Sequence, residues 1–326
     1  MFKQLVNELR LKWTIAPQGP LLIKSGKESG ADPTLLDMNF VRIHHSELGE
    51  TVYLPGSSLK GTLRSYCEKI ARTVAAEHPE GKVQCCDPLD GKAACDQKKA
   101  VVSARKKGDG VTIYRELCSI CRMFGHTVQA GHLRVSDAYP PETLLDETND
   151  TEQRDGVAID RRTGSVAVGP FTLEIVTRGA FEGELCLRNF QLWQVGLLAL
   201  ALRDLSQGRV PIGFAKSRGL GQVKVIYNQL EISYPAQIGS ATRGFGERLY
   251  SVFQFPIGQQ EGGKDGYNFF PEPAVALPAG GVVEDDWGRV NVRFEEHKPA
   301  EALLKATVPA WAAYARGQSL EGGADE

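Results

Sequence analysis

The sequence predicts an α+β fold. Three observations carry this: an alternating apolar run near the start, two amphipathic helical stripes, and a further alternating run after each stripe. Leu9, Leu11, Trp13 and Ile15 alternate with Arg10, Lys12 and Thr14, the period of a strand with one buried face. A glycine-containing loop through Lys24 to Pro33 follows, and Thr51-Val52-Tyr53-Leu54 reads as a strand leading into the turn Pro55-Gly56-Ser57-Ser58-Leu59-Lys60-Gly61. Pro55-Gly56 breaks the strand and Ser57 or Ser58 is the expected helix cap, with Lys60 and Arg64 one turn apart near the positive helix end. Such a helix start is an expected phosphate site. Leu59, Leu63, Tyr66, Cys67, Ile70 and Val74 make the stripe of this first helix.

Residues 78–125 interrupt the pattern with a cysteine cluster and the basic run Arg105-Lys106-Lys107, and are read as a loop-rich insertion with little apolar core of its own. His132 to Asp137 alternates as a strand, and Val166-Ala167-Val168 with Phe171 to Val176 reads as a projecting hairpin. Leu192, Val195, Leu198, Ala199, Leu202 and Leu205 mark a second helix ended by Gly208, and Gly221 to Tyr227 supplies a last strand. Strand, helix, strand, strand, helix, strand is the ferredoxin-like (RRM-like) order. Beyond residue 232 the composition turns to Gly, Pro and scattered aromatics, with one short helix expected from Leu303, Leu304, Val308 and Trp311. Tyr267, Phe269, Phe270 and Trp311 are expected to cover the chain's own sheet, the alternative being a neighbouring subunit.

The 38 basic and 40 acidic residues leave a net charge of −2, so the chain is no polycation and nucleic acid would have to meet local patches. Glycine, at 35 residues, points to many turns and close backbone approaches. No apolar run reaches the roughly 18 residues of a membrane span, and Met1 to Leu5 lacks a signal peptide's apolar core, so a cytoplasmic protein without membrane contact is expected. Five of the seven cysteines fall between Cys85 and Cys121, which in a reducing compartment reads as metal ligation. Cys118 and Cys121 form a CxxC pair able to hold one side of a tetrahedral structural zinc, and Cys95 with Cys85 or Cys86 completes the set, with His78 as a substitute.

Four segments in this order resemble the RAMP superfamily, and within it the repeated backbone subunit of type III CRISPR effector complexes. They are Tyr53 to Arg64, Cys118-Ser119-Ile120-Cys121-Arg122-Met123-Phe124-Gly125, Ile159-Asp160-Arg161-Arg162-Thr163-Gly164 and Ser217-Arg218-Gly219-Leu220-Gly221. The resemblance implies a ferredoxin-like palm over residues 1–232, a zinc-binding insertion at 78–125, a protruding β-hairpin thumb at 150–180 and an unmatched C-terminal extension at 233–326. It implies stacking with other type III effector subunits, including homologous backbone subunits and the large and small subunits, along CRISPR RNA, with the thumb interrupting guide-target pairing. In active members an aspartate before the Pro-Gly-Ser-Ser motif supports cleavage of target RNA with Mg²⁺ or a similar divalent cation; Asp32 is the match and Asp37 a weaker one. The competing reading of Asp32 is a cap on the turn before Pro33.

RNA contacts are expected from Ser57, Lys60 and Arg64 on the first helix, Arg161 and Arg162 on the thumb, and Lys216 and Arg218 in the glycine-rich loop. His44 and His45 are rival acid-base groups, of which at most one can face a substrate from a strand. The chain departs from the family at Leu21-Leu22-Ile23-Lys24, where relatives often carry a histidine. The alternatives are a non-cleaving RNA scaffold, a CRISPR RNA-processing endoribonuclease, and an unrelated zinc-stabilised protein binding a small phosphate ligand.

Overall fold

Alternation along the first strand sets one sheet between a packed side and an open side. Leu9, Leu11, Trp13 and Ile15 are fully buried, whereas Lys12 is exposed and Arg10 and Thr14 are half-buried on the opposite face. In the computed structural model, residues 4–26, 38–90, 92–235, 244–255 and 266–318 are described. The chain runs through β1 (Glu8–Pro17), the hairpin β2 (Arg42–His45) and β3 (Gly49–Val52), and α1 (Gly56–Glu77). The insertion holds α2 (Lys99–Lys107), α3 (Gly110–Glu116) and α4 (Ser119–Phe124), followed by the small pair β4 (Gly125–His126) and β5 (Gln129–Ala130). Next come β6 (Leu133–Val135), α5 (Leu145–Asn149), the long hairpin β7 (Glu152–Ile159) and β8 (Val166–Ile175), β9 (Phe181–Arg188), α6 (Leu192–Ser206) and β10 (Val223–Tyr234). The remainder adds β11 (Arg248–Leu249), β12 (Val275–Ala276), β13 (Val282–Asp286), β14 (Arg289–Phe294), α7 (His297–Ala306) and α8 (Val308–Arg316).

The main sheet is antiparallel throughout, in the order β13-β14-β10-β1-β9-β6. Helix α1 packs on α6 and α4, and α6 in turn on β10, α7 and α8. That last contact explains why α6 is buried nearly all round rather than striped. It lies between the sheet and α8, so close to the latter that a Cβ on Gly196 would stand 2.5 Å from the Thr307 carbonyl oxygen. Trp193 stacks on Tyr314 with ring centroids 4.2 Å apart, and Glu272 closes the first turn of α6 by accepting from the Leu192 and Trp193 amides at 2.6 and 3.2 Å. Tyr267, Phe269, Phe270 and Trp311 are buried within this chain. Among the described residues no helix is long and apolar enough to cross a membrane.

Three expectations are corrected. Val166 to Ile175 is one strand, not a hairpin; its partner is β7, whose eight residues are nearly all exposed and carry no apolar alternation, and the Gly169-Pro170 break is absorbed where the ladder shifts register near Ala158. The insertion is helical rather than loop-rich, because Val101, Ala104, Ile113, Leu117, Ile120, Met123 and Phe124 bury into the main core. The end of the chain forms two helices, not one, with Thr307 as the junction and proline opening the second.

Candidate nucleic-acid interface and metal centre

Helix α1 begins at Gly56 after Pro55, and neither Ser57 nor Ser58 caps it. The Gly56 amide instead donates to the Asp137 carboxylate at 2.7 Å, and Tyr139 donates its hydroxyl to the other oxygen at 3.3 Å. An internal anion thus engages the first amide of the positive helix end and competes there with the phosphate that the sequence leads one to expect. Glycine is required at 56, since a Cβ would lie 2.4 Å from the Val135 carbonyl oxygen.

Cations gather instead along the flank of α1. Ser57, Gly61, Ser65 and Lys69 form an exposed row at four-residue spacing, about 18 Å long at 1.5 Å per residue. Half-buried Lys60 and Arg64 border it. Burial holds the Lys60 ammonium below its ordinary pKa, helped by the positive charges of Arg64 and Arg134. Lys216 is lowered likewise, by desolvation first and Lys69 second. Next to it, the Arg218 guanidinium lies 5.9 Å from the centre of the Phe171 ring on β8. The row therefore leads from Ser57 through Lys69 and Lys216 to Arg218 and the base of the β7–β8 hairpin. At the far tip, Asp160 accepts from the Arg162 and Thr163 amides, both at 2.8 Å, a local turn that leaves Arg161 and Arg162 exposed.

Asp32 and Asp37 lie outside the described residues. The two flanks of that segment are tied to each other, Ser25 donating to the Asn39 carbonyl, and the second flank is tied to β8, where Met38 bridges Leu173 and buried Glu174 accepts from the Phe40 amide at 2.8 Å. Arg42 pairs with the same carboxylate at 2.7 Å. His45 accepts the Glu47 and Leu48 amides on Nδ1, which puts its proton on Nε2.

Cys86, Cys95, Cys118 and Cys121 bring their sulfurs within 4.8 Å of one another. The Cys86–Cys121 and Cys86–Cys118 separations are 3.6 and 3.7 Å, close to the roughly 3.8 Å edge of a tetrahedron with ~2.3 Å Zn–S bonds. The Cys118 amide points at the Cys95 sulfur and the Cys121 amide at that of Cys118, as suits thiolate charge, so the donor set fits a structural zinc. Hydrogen bonding among the sulfurs favours the thiolate at Cys118 and disfavours it at Cys86 and Cys121. Cys85 is turned away, donating to the Cys86 carbonyl, and burial pushes its thiol up to about 12. Among the described residues this is the one group of three or more ligand side chains so arranged.

Arg64 joins the two regions. Its Nε pairs with Glu68 at 2.9 Å, one terminal nitrogen donates to the Gly125 carbonyl at 3.0 Å, and the other stands 3.6 Å from the Cys121 sulfur. Arg72 shares Glu68 and reaches the Cys86 carbonyl at 3.3 Å. Sequence reasoning missed Glu68 and Arg72, although the spacing of 64, 68 and 72 is that of a helical ion-pair ladder. Asp137 and Phe171 were missed too, and nothing local signals them.

The sequence model of the RAMP superfamily matches residues 14–224, well over half of the chain. The chain belongs to the RAMP superfamily. RAMP proteins bind CRISPR RNA within Cas complexes, and membership implies a CRISPR RNA-binding Cas protein. The matched span takes in the exposed row on α1, the hairpin and the cysteine centre, and ends before the RAMP chain's β13–β14 hairpin. Among curated proteins none matches the chain.

Proposed function

We propose that this RAMP protein is the CRISPR RNA-binding backbone subunit of a type III effector complex, assembled with homologous, large and small subunits, and that it cuts complementary target RNA through Asp32. The observation that carries the reading is the cationic row on α1 leading to the hairpin. Small side chains at Ser57, Gly61 and Ser65 let a sugar-phosphate backbone approach, while Lys60, Lys69, Lys216 and Arg218 gather positive charge that a polyanion relieves. Arg161 and Arg162 extend it at the hairpin tip, the position expected of a thumb. The order β10-β1-β9-β6, with helices after the first and third of these strands along the chain, supports a ferredoxin-like palm.

For cleavage, support comes from the flanks of Asp32: Met38 is paired with β8 of the hairpin and Ser25 is tied to Asn39 beside it, near where a thumb would kink the target. A divalent cation such as magnesium would act there as a Lewis acid on the phosphodiester, and the protein's task is to hold the RNA in line. The test is assembly with partner subunits and guide, labelled complementary RNA with magnesium, and Asp32→Ala against the parent chain. Equal target binding with loss of this subunit's cuts supports the proposal. Unchanged cutting, or none in either, leaves a scaffold; cutting of precursor RNA by the chain alone identifies a processing endoribonuclease.

A further inference from the structure

Three rings stand together where β3 runs into α1. Leu54 and Ala138 bridge two antiparallel segments, so Tyr53 and Tyr139 face each other beside them. Alternation turns Leu54 and Ala138 into the core and leaves the two tyrosines half-buried on the outer side. Their rings stack, 16° from parallel with centroids 5.7 Å apart, and half-buried His45 lies against Tyr139 at 4.8 Å. The stack is held in place from within. Asp137 accepts from the Tyr139 hydroxyl, and the His45 ring is fixed by the amides that it accepts on Nδ1. Tyr139 is the middle ring, and Tyr53 and His45 are the ends. Among the described residues neither end ring has a second ring neighbour, and neither the Tyr53 hydroxyl nor His45 Nε2 has a hydrogen-bond partner.

Charge and position decide what such a stack can take. Asp137, beside Tyr139, lines with Glu182 and Glu184 an adjoining pocket of about 340 Å³ whose one cation is Lys12. Three carboxylates oppose a phosphate there, whereas they do not repel an uncharged planar base, and an aromatic face stacks any base. Four residues along the chain separate Tyr53 from Ser57, where the exposed row on α1 begins. Their Cα atoms therefore lie within about 14 Å of each other. Asp137 ties the two places together by holding both the Gly56 amide and the Tyr139 hydroxyl. A strand whose phosphates follow the row brings a base within reach of Tyr53. That the chain belongs to a superfamily that binds CRISPR RNA favours a base over the aromatic side chain of a protein partner.

We propose that the Tyr53–Tyr139–His45 stack is a nucleobase platform, on which a base of single-stranded RNA continues the stack at Tyr53 while the row on α1 holds the phosphates. This rests on the RNA-binding reading, and the test separates the two. The full chain, freed of nucleic acid, is titrated over a salt series with a labelled single-stranded RNA and with an abasic oligomer of the same length. Tyr53→Leu, which keeps apolar bulk but no aromatic face, is expected to weaken binding of the RNA roughly five- to 150-fold. The factor should be the same at every salt concentration, because no phosphate contact is lost, whereas Lys69→Ala should lower the salt slope by about 0.7. Binding of the abasic oligomer should not respond to Tyr53→Leu, and Tyr53→Phe should restore RNA binding, since the ring returns. Photo-crosslinking of 4-thiouridine RNA to the parent chain reads the same contact without a variant, and the peptide carrying Tyr53 is expected to be marked. RNA binding unchanged in Tyr53→Leu, a loss shared by the abasic oligomer, a loss that Tyr53→Phe does not restore, or crosslinks that avoid both tyrosines would overturn the platform and leave the RNA-binding reading standing. If the first result came with weakened assembly with partner subunits, the stack would be a protein contact instead. A parent chain that binds neither oligomer at low salt would overturn both.

Discussion

Replacing Arg64 by alanine decides between two roles open to its position on α1, a phosphate contact and a support of the cysteine centre. The guanidinium is about three-quarters buried, with 26% of the side chain exposed, and its partners are Glu68, the Gly125 carbonyl and the Cys121 sulfur. Removal leaves the Gly125 carbonyl without that donor, worth about 1–3 kcal/mol, and breaks an i,i+4 pair worth about 0.5 kcal/mol; Glu68 keeps Arg72. The variant is therefore expected to lose about 2–3 kcal/mol of stability. Loss of a cation beside Cys121 also weakens the zinc tetrathiolate, and partners of this kind typically contribute ten- to a hundredfold in metal affinity. Zinc transfer to a colorimetric chelator should accelerate by that order, with Arg64→Lys intermediate because it keeps charge but loses the fork. RNA affinity measured over a salt series reads the other role: a lost phosphate contact lowers the slope by about 0.7–0.9. An unchanged slope with faster zinc loss is expected. A slope lowered by that amount with zinc retention unaffected would refute the reasoning.

Metal analysis of the purified chain should find about one zinc per molecule, retained in Cys85→Ser and lost with stability in Cys118→Ser; equal loss in both would mean the cluster is wrongly drawn. Gly56→Ala forces α1 away from the Val135 carbonyl and should cost about 1–3 kcal/mol in chemical denaturation, whereas Gly61→Ala, exposed inside the helix with open space around it, should raise stability by about 0.5–1 kcal/mol. Burial raises the Glu272 carboxyl from 4.5 to about 7 against the amides that favour its charge. The folded state therefore prefers the protonated acid: its contribution is full below the unfolded value and declines as pH rises from 4.5 through 7. At about 1.4 kcal/mol per pH unit this is a decline of roughly 3 kcal/mol relative to Glu272→Gln. Parallel stability-pH curves for the two proteins would show that Glu272 is not the titrating group.

What the sequence made legible follows the range of each signal. Leu59, Leu63 and Cys67, like Leu9 through Ile15, announce their elements within a few residues, and CxxC announces a metal pair. The choice of Cys86 over Cys85 depends on which way a chain at the insertion's edge turns, and adjacent residues carry no such information. Gly56 meets Asp137 across 81 residues and Leu192 meets Glu272 across 80; no local pattern encodes either. β7 was hidden because both its faces are wet, so the periodicity that reveals a strand was never imposed on it.

Glu272, Trp311 and Tyr314 also set an order of events during synthesis. The superfamily match ends at residue 224, but the last α-helix within that span, α6, is closed and covered by residues from beyond its end. A nascent chain that has released β10 still presents Leu192, Trp193 and the unfilled first turn of α6 to solvent. Until α8 emerges, that surface must be held by something else or wait uncollapsed. The edge drawn by sequence similarity thus falls short of the residues that complete the surroundings of α6.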